Sequence, residues 1–366
     1  MPRSAESIEK QRRVNAFLDA DGYDALVLGR VDNFAWFTCG GESHVSLAAE
    51  AGVGALLIER DRRTLITNNV ERPRLCEEEI EGQGFEEEVV PWTGDALAPA
   101  VERLASGKSI AADVLLPEVT VCPDAIARLR WSLTPEEVAR YRTLGRDVGE
   151  AIAEACMAVQ PGMTEHEVAA LLAAEHYDRG VAPIVVLVAA DERLRKYRHP
   201  IPTNTEVHRC VMLVVCGRRH GLIVSATRIV HFGPVPDELG ARHQACVAVD
   251  GAFIGATKPG ARIGDIFSAG LEAYRAHGYA DEWQLHHQGG PTGYAAREYR
   301  ATHESEDLVE PNQAFAWNPS IAGTKSEDTI IATSQGPEII SPSPGLPSLT
   351  VTVSGVKFPR PDIVVR

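Results

Sequence analysis

The stretch of sequence that decides the fold is VMLVVCGRRHGLIVSATRIV, at residues 211–230. Two apolar runs rich in β-branched residues flank a short polar segment, GRRHG, which has glycine at each end. β-branched residues favour strands, and glycine in a short polar loop is typical of a hairpin turn. The pattern predicts a β-hairpin, and neither of its arms carries an acidic residue.

The first third of the chain alternates between helical and strand-like patterns. We expect helices at 5–20 and 95–106, and strands at 23–29, 52–59, 63–68 and 109–114. Strands that alternate with helices are typical of an α/β layer structure. Residues 1–132 are therefore predicted to form an N-terminal α/β domain.

Two capping boxes mark the start of a second region. Thr134 and Glu137 flank Pro135 in the pattern of a capped helix, which we expect to run to about residue 158. The segment TEHE at 164–167 repeats the pattern and predicts a helix that ends near Gly180. The chain thus changes character close to residue 133.

The rest of the chain combines further helices with many strands. We expect a strand at 182–190, helices at 237–257 and 264–278, strands and loops from 284 onward, and an irregular tail at 341–362. Helices followed by an antiparallel strand-rich region are typical of an α+β domain. Residues 133–366 are predicted to form this second domain.

The composition of the 366-residue chain is that of a soluble globular protein, with 24% charged and 44% apolar residues. Its formal net charge of −15 argues against nucleic acid as a partner, because nucleic-acid binding needs a concentrated basic face. The first residues are too polar for a signal peptide, and no apolar run approaches the length of a membrane helix. Seven scattered cysteines without a CxxC motif predict neither a disulfide framework nor a structural zinc site. We expect a cytoplasmic protein with no membrane partner.

Four stretches place polar side chains beside apolar runs, where predicted strands end. They are KYRHPIP (196–202), LHHQGGPTGY (285–294), AWNPSI (316–321) and GTKSEDT (323–329). Such an arrangement aims side chains into a cleft from a rigid scaffold. These stretches are the candidate site.

Their order, together with the hairpin and the capped helices, resembles the M24 peptidase family. Its members share the pita-bread fold and include aminopeptidase P, prolidase, methionine aminopeptidase and the metal-free enzyme creatinase. The resemblance covers nearly the whole chain. It implies an α/β N-terminal domain of the creatinase and prolidase type, an α+β pita-bread catalytic domain, and a homodimer.

In the metal-dependent members, two hairpin aspartates, a histidine and two glutamates hold two divalent ions. By resemblance, these positions fall on Val214, Ser225, His287 (or its neighbour His286), Asn318 and Glu327. One imidazole, one carboxylate and a neutral amide cannot offset the desolvation of two divalent ions. We therefore predict no tightly bound dinuclear metal centre and no cofactor, and we leave open a single weakly held ion at His287 and Glu327.

The resemblance also assigns roles to the remaining polar residues. His199 falls on the upstream histidine that contacts substrate and that serves creatinase as its acid/base. The two creatinase glutamates fall on Thr227 and Asn318, so that mechanism is not carried over in full. The predicted catalytic residues are His199, His287 and Glu327, and the predicted substrate-binding residues are His286, Asn318, Lys325, Ser225, Thr227, Tyr294 and Arg297.

Several of these residues also have a purely structural interpretation. If their segment is a strand, His286 and His287 face opposite sides and one of them is structural. Glu327 could be a buried ion-pair partner of Lys325, because residues two apart on a strand share a face. Arg297 could be the surface partner of the glutamate that follows it.

The first functional hypothesis is a metal-independent hydrolase of a C–N bond in a small substrate, with His199 as general acid/base. The alternatives are a metal-dependent Xaa-Pro aminopeptidase or dipeptidase, a non-catalytic pseudo-peptidase binding module, and a lyase or isomerase on the same fold. The expected partners are a small-molecule or short-peptide substrate and a second copy of the chain. The sequence does not reveal which substrate is used.

Overall fold

A computed structural model describes residues 4–94 and 97–366 of the chain. The chain divides into two compact units. The first comprises Met1–Arg130 together with His220–Leu222, and the second comprises Trp131–Arg219 and Ile223–Arg366.

The first unit is built around a mixed six-stranded sheet. Its helices are α1 (Ala5–Asp21), α2 (Val31–Phe37), α3 (Arg72–Arg74, followed by a π-helical turn at Leu75–Glu79), α4 (Leu97–Leu104) and α5 (Pro123–Arg128). Its strands are β1 (Ala25–Arg30), β2 (Ala51–Ile58), β3 (Arg63–Asn68), β4 (Glu86–Val90), β5 (Ile110–Ala112) and β6 (Thr120–Val121). The strand order is β4-β3-β2-β1-β5-β6. The predicted strands and helices of this region are confirmed within a few residues, although positions 95 and 96 of one predicted helix lie outside the described residues.

The second unit contains helices and several small antiparallel sheets. Its helices are α6 (Pro135–Ala158), α7 (Glu165–Tyr177), α8 (Glu192–Lys196), α9 (Asp237–Ala256) and α10 (Ile263–Ala276), with a 3₁₀ turn at Glu282–Leu285. Its first strands are β7 (Ala182–Ala190), β8 (Cys210–Arg219) and β9 (Leu222–His231). The later strands are β10 (Gly289–Thr292), β11 (Ala314–Trp317), β12 (Ser320–Ile321), β13 (Thr324–Lys325), β14 (Asp328–Thr333), β15 (Gly336–Ile339), β16 (Ser348–Val353), β17 (Val356–Pro361) and β18 (Val364–Val365).

The two predicted capping boxes are confirmed at the starts of α6 and α7. The hydroxyl of Thr134 accepts from the N–H of Glu137, and the Glu137 carboxylate accepts from the N–H of Thr134 at 2.7 Å. Thr164 and Glu167 repeat both bonds. Each box satisfies backbone donors that the first helical turn leaves without partners, so local sequence alone sets these two helix starts.

The hairpin that decides the fold is confirmed as β8 and β9. It lies inside a four-stranded sheet of order β18-β9-β8-β7. A second sheet has the order β10-β11-β14-β15. The N–H of Thr227 donates to the carbonyl of Glu327 at 3.1 Å, so β9 runs beside the start of β14 and the two sheets meet there. Three of the polar stretches lie on or beside strands β10 to β14, and the fourth, 196–202, lies in the loop that follows α8.

The prediction for the C-terminal segment is wrong. Residues 341–362 were expected to be irregular, but β16 and β17 pair over six residues of each strand. The alternating pattern of SLTVTV and the Ser-Gly turn at 354–355 are strand and turn signals that proline elsewhere in the segment obscured.

The described residues include no helix long and apolar enough to cross a membrane. Among them, all seven cysteine thiols are free. Burial raises the pKa of Cys216 on β8, and a protonated thiol is a poor nucleophile.

Candidate active site

The segment with His286 and His287 is held in place from behind by buried hydrogen bonds. The side-chain amide of Gln288 donates to the carbonyl of His286 at 2.6 Å and accepts from the Tyr274 hydroxyl at 2.8 Å. Gly289 follows at φ +93°, and a Cβ there would lie 2.1 Å from the carbonyl oxygen of Ala316. Glycine therefore lets β10 pass close to β11 and fixes where the two histidines leave the sheet.

An ion pair ties the loop with His199 to this segment. Arg198 pairs with Glu282 of the 3₁₀ turn at 2.5 Å, and Glu282 also accepts from the N–H of Ala322 at 3.2 Å. The His199 ring centre lies 4.9 Å from that of His286 and 5.5 Å from that of His287. The loop with His199 and the segment that follows the 3₁₀ turn thus bring three imidazoles together.

The prediction that His286 and His287 face opposite sides is wrong. The two rings lie 4.6 Å apart, and both contact His199. His286 itself has an extended backbone, with φ −156° and ψ 144°, but backbone alternation does not keep the two rings apart here. Both histidines therefore belong to the same cluster.

The three imidazoles are uncharged near neutral pH. Burial, with Lys325 and the other two rings, lowers the pKa of His286 to about 2. Burial and Arg297 lower the pKa of His287 to about 4. The side chain of His199 is exposed at the surface, yet the residues packed around it and the charge of Lys325 lower its pKa as well. Each neutral imidazole has one ring nitrogen with a lone pair, which can accept a proton or bind a ligand.

Glu327 is a buried carboxylate between two cations. Its Oε2 lies 2.7 Å from Lys325 Nζ and accepts from the Thr227 hydroxyl at 2.7 Å. Its Oε1 accepts from Arg297 Nη2 at 2.9 Å. Burial alone would raise the pKa of Glu327, but the two cations outweigh it and lower the pKa to about 2. The carboxylate is therefore ionised, and both of its oxygens are engaged.

The ion pair of Lys325 with Glu327, which the sequence offered as a structural alternative, is present. The surface role considered for Arg297 is wrong, because this residue pairs with Glu327 and is 14% exposed. Nη1 of Arg297 also donates to Ser225 Oγ at 3.3 Å. The predicted residues Ser225, Thr227, Lys325, Arg297 and Glu327 thus form one connected group.

Two predicted substrate-binding residues have different surroundings. The Tyr294 hydroxyl donates to the Glu137 carboxylate at 2.6 Å, so it anchors the start of α6. Asn318 is 2% exposed, and its Oδ1 has no hydrogen-bond partner among the described residues. A buried acceptor without a partner costs free energy, and such groups are found where a ligand completes the site.

The residues at this site do not fit two divalent ions. The two hairpin positions are Val214, a buried hydrocarbon, and Ser225, which lies 3.3 Å from the Cys216 sulfur. The carboxylate of Glu327 is already shared by Lys325 and Arg297, whose positive charges would repel metal ions. A dinuclear centre needs several anionic oxygens, and this group of residues supplies one carboxylate.

Within 4–94 and 97–366, a cluster of possible metal ligands is formed by His199, His286 and His287. A ligand atom from each lies within 4.8 Å of the others. The sequence missed two residues that shape this cluster. They are Arg198, which holds the loop, and Ser320, whose Oγ lies 3.2 Å from His286 Nδ1. Neither contact has a local sequence signal, because the partners lie far apart in the chain.

Comparisons with known proteins agree on one family. The sequence profile of metallopeptidase family M24 matches residues 139–334, more than half of the chain. A curated Xaa-Pro dipeptidase from Lactobacillus helveticus is 24% identical over 221 residues, which are 58% of this chain and 60% of that one. The chain thus spans less than two thirds of the length of this relative.

Solved structures agree on the fold. A Xaa-Pro dipeptidase from Bacillus anthracis superposes with a TM-score of 0.78 at 19% identity, over 98% of this chain and 100% of that one. The dipeptidase PepE from Mycobacterium ulcerans gives a TM-score of 0.78 at 17% identity, over 100% of this chain and 99% of that one. At this level of identity, the likeness establishes the pita-bread fold.

The relatives favour the Xaa-Pro peptidase alternative over the metal-independent hydrolase that the sequence suggested first. They do not decide whether this chain binds metal. The family match and the shared fold support a hydrolase. The chain belongs to metallopeptidase family M24 and has the pita-bread fold of that family.

Proposed function

We propose that the chain hydrolyses the C–N bond of a dipeptide-sized substrate that carries a free carboxylate, with Xaa-Pro dipeptides as the first candidates. The observation that carries this proposal is the cluster of three uncharged histidines beside a buried, ionised Glu327. Membership of the M24 family supports peptide hydrolysis, and the relative from Lactobacillus helveticus is named a Xaa-Pro dipeptidase.

The charges around the cluster favour an anionic substrate. Lys325 and Arg297 carry two positive charges, Glu327 carries one negative charge, and the imidazoles carry none. The site therefore has a surplus of positive charge in a partly buried setting, where Coulomb attraction is stronger than in water. A substrate carboxylate, or the oxyanion that develops at an attacked carbonyl, balances this surplus.

His199 is suited to move a proton at the surface of the cluster. Its ring is exposed on one side, while its Nε2 lies 3.1 Å from Nε2 of His286. That contact engages one ring nitrogen and leaves Nδ1 for exchange with substrate or water. An imidazole that is uncharged near pH 7 can accept a proton from an attacking water and return it to the leaving nitrogen.

The proposal keeps His199 as acid/base and does not require the five-ligand dinuclear centre. The carboxylate of Glu327 holds Lys325 and Arg297 in place, and Asn318 Oδ1 supplies an unpaired acceptor for a substrate N–H. The homodimer implied by the family resemblance stays a proposal, which light scattering of the purified chain tests.

The test is a panel of dipeptides, with Xaa-Pro and Xaa-Ala members, assayed by chromatographic detection of the released amino acids. The protein is tested as purified, after chelator treatment, and after addition of divalent ions. We expect hydrolysis of at least one dipeptide, and a loss of tenfold or more in kcat/KM when its carboxylate is amidated.

The matched variants are His199→Ala and His166→Ala, the second at an exposed position on α7. Loss of a general acid/base lowers kcat/KM by about 10²–10⁴-fold, whereas the α7 variant should behave as the parent. Binding of dipeptides without turnover under every condition would contradict the proposal and favour the binding-module alternative. Equal activity of the two variants would contradict the role of His199.

A further inference from the structure

We propose that His199, His286 and His287 form a site for one divalent transition-metal ion, held by three imidazole nitrogens. This site would replace the carboxylate-rich dinuclear centre that the residues do not fit. The inference rests on the proposed function because it concerns the same pocket. With an ion held at Nε2 of His199, the ion would activate the attacking water and Nδ1–H of His199 would be left as a proton donor. Its test measures metal binding in the absence of substrate, so the two can fail separately.

The distances within the cluster match those of a small ion's coordination shell. Nε2 of His199 and Nε2 of His286 lie 3.1 Å apart. In a tetrahedral site with metal–nitrogen bonds of about 2.0–2.1 Å, two ligand nitrogens are separated by roughly 3.3 Å. A ligand atom of His287 lies within 4.8 Å of a ligand atom on each of the other two rings, so the third imidazole is close to the same point.

Contacts behind His286 orient it as a ligand. Ser320 Oγ lies 3.2 Å from Nδ1, and a proton on Nδ1 that is donated to this hydroxyl leaves the lone pair on Nε2, which faces His199. The Gln288 amide holds the backbone carbonyl of His286 at 2.6 Å. Metal-binding histidines typically donate the N–H of their second ring nitrogen to a neighbouring acceptor, which fixes the ring and its tautomer. Ser320 is in position to be that acceptor for Nδ1 of His286.

His287 has one weak competing contact. The N–H of Gly289 donates to its Nδ1 at 3.3 Å, at the long end of the hydrogen-bond range. Coordination through Nε2 moves the ring proton to Nδ1, and coordination through Nδ1 takes up the lone pair that accepts from Gly289, so either mode breaks this bond. The exchange of one long hydrogen bond for a coordinate bond does not oppose binding.

The chemistry of the donors selects the type of ion. Three neutral nitrogens suit Zn²⁺, Co²⁺, Ni²⁺ or Cu²⁺, whereas Mg²⁺ and Ca²⁺ prefer oxygen ligands. Lys325 and Arg297 limit the positive charge that the pocket tolerates, which favours one ion over two. Three histidines that leave a position open for water are also an arrangement known from catalytic zinc sites.

The test uses the full-length protein, stripped with a chelator that is then removed and titrated with Co²⁺ and Zn²⁺. Elemental analysis gives the stoichiometry, and the visible absorption of bound Co²⁺ reports a nitrogen-ligated site of low coordination number. We expect one ion per chain. His286→Ala should weaken Zn²⁺ binding by 100-fold or more, and His166→Ala should bind as the parent does.

Ser320→Ala is a second variant that leaves all three ligands in place. Loss of an outer hydrogen bond to a metal-binding histidine weakens metal affinity by about 10–100-fold. Thermal unfolding of each variant without metal shows whether it folds. If His286→Ala does not fold, the metal affinity of Ser320→Ala alone tests the inference. Two bound ions per chain, no bound ion, or unchanged affinity in the folded variants would each overturn the inference.

The outcomes also separate this inference from the proposed function. Metal binding without dipeptide hydrolysis overturns the proposed function alone. Dipeptide hydrolysis by a protein that binds no ion in the titration overturns the metal site alone.

Discussion

Two neighbouring carboxylates, Glu327 and Asp328, show how one chain builds two different polar regions. Successive residues of an extended segment face opposite sides. Glu327 faces the histidine cluster together with Lys325 and Arg297. Asp328 faces the other way and pairs with Arg228 and Arg360, each at 2.8 Å.

The two regions differ in charge balance and in exposure. On the Asp328 side, Arg360 also pairs with Asp250 at 2.6 Å, so two arginines meet two aspartates, and all four side chains are at most 3% exposed. On the Glu327 side, two cations share one carboxylate and the histidine cluster reaches the surface. A balanced, closed network stabilises a fold, whereas an unbalanced and open one is prepared to receive a ligand.

The largest expected effect is on the closed side. Arg360→Met leaves Asp250 and Asp328 short of a partner, and breaking a buried ion pair typically costs about 3–5 kcal/mol. We expect a loss of that size in the free energy of unfolding, measured with urea. Arg142→Met, which removes an exposed pair with Glu338, should cost less than about 1 kcal/mol. Equal losses in the two variants would remove the distinction between a closed network and a surface pair.

A smaller loss of stability, with a large loss of function, is expected on the open side. Glu327→Gln keeps the shape of the side chain but leaves Lys325 and Arg297 without an anion, at a cost of about 2–3 kcal/mol. Dipeptide hydrolysis should fall with it, because the two cations are no longer held in place. A fully active variant would show that the Glu327 side is as purely structural as the Asp328 side.

A buried histidine outside both regions tests how burial alone acts. His243 contacts the Thr324 hydroxyl at 2.7 Å and the Pro361 carbonyl at 3.1 Å, with Asp362 at 3.8 Å, and burial lowers its pKa. The folded state therefore keeps it neutral while the unfolded chain takes up a proton below about pH 6.5. Its stabilising contribution is present above that pH and is lost as the pH falls, by up to about 1.4 kcal/mol per pH unit.

Urea unfolding of the parent and of His243→Gln between pH 7.5 and 5.5 measures this effect. The variant should lose less stability on acidification than the parent. His166→Gln, at an exposed position, should show the parent's pH dependence. The same slope in all three proteins would mean that His243 does not contribute.

The smallest effect compares two hydroxyl groups. Thr227 donates to Glu327 and Ser341 donates to Asp328, each at 2.7 Å. Thr227→Val and Ser341→Ala should each lower the free energy of unfolding by about 1 kcal/mol. Only Thr227→Val should also change kcat/KM, since Thr227 contacts Glu327 at the candidate site. Equal changes of kcat/KM in the two variants would contradict a functional difference between the Glu327 and Asp328 sides.

Local patterns predicted much of this fold. The capping boxes at Thr134 and Thr164, and the hairpin of β8 and β9, involve contacts between residues close in sequence, and all are confirmed. The predicted pairing of Lys325 with Glu327 is local in the same way. Such features depend on a few neighbouring residues, so a short segment of sequence is enough to predict them.

The rest of the site depends on distant partners. Arg297 pairs with Glu327, thirty residues further along the chain. From the sequence alone, the adjacent Glu298 was an equally reasonable partner. His286 and His287 both contact His199, although His286 has an extended backbone, and strand alternation did not anticipate this. These outcomes follow from tertiary packing, which no pattern within a short segment records.

The tether between Arg198 and Glu282 has a consequence for the working protein. Both side chains are partly accessible, at 16% and 21%, so dissolved ions can screen their attraction more than that of the buried pairs. High ionic strength should therefore loosen the hold on the His199 loop before it weakens the fold. The distance of His199 from His286 and His287 should then depend on the salt concentration, while the sheets that carry the site keep their structure.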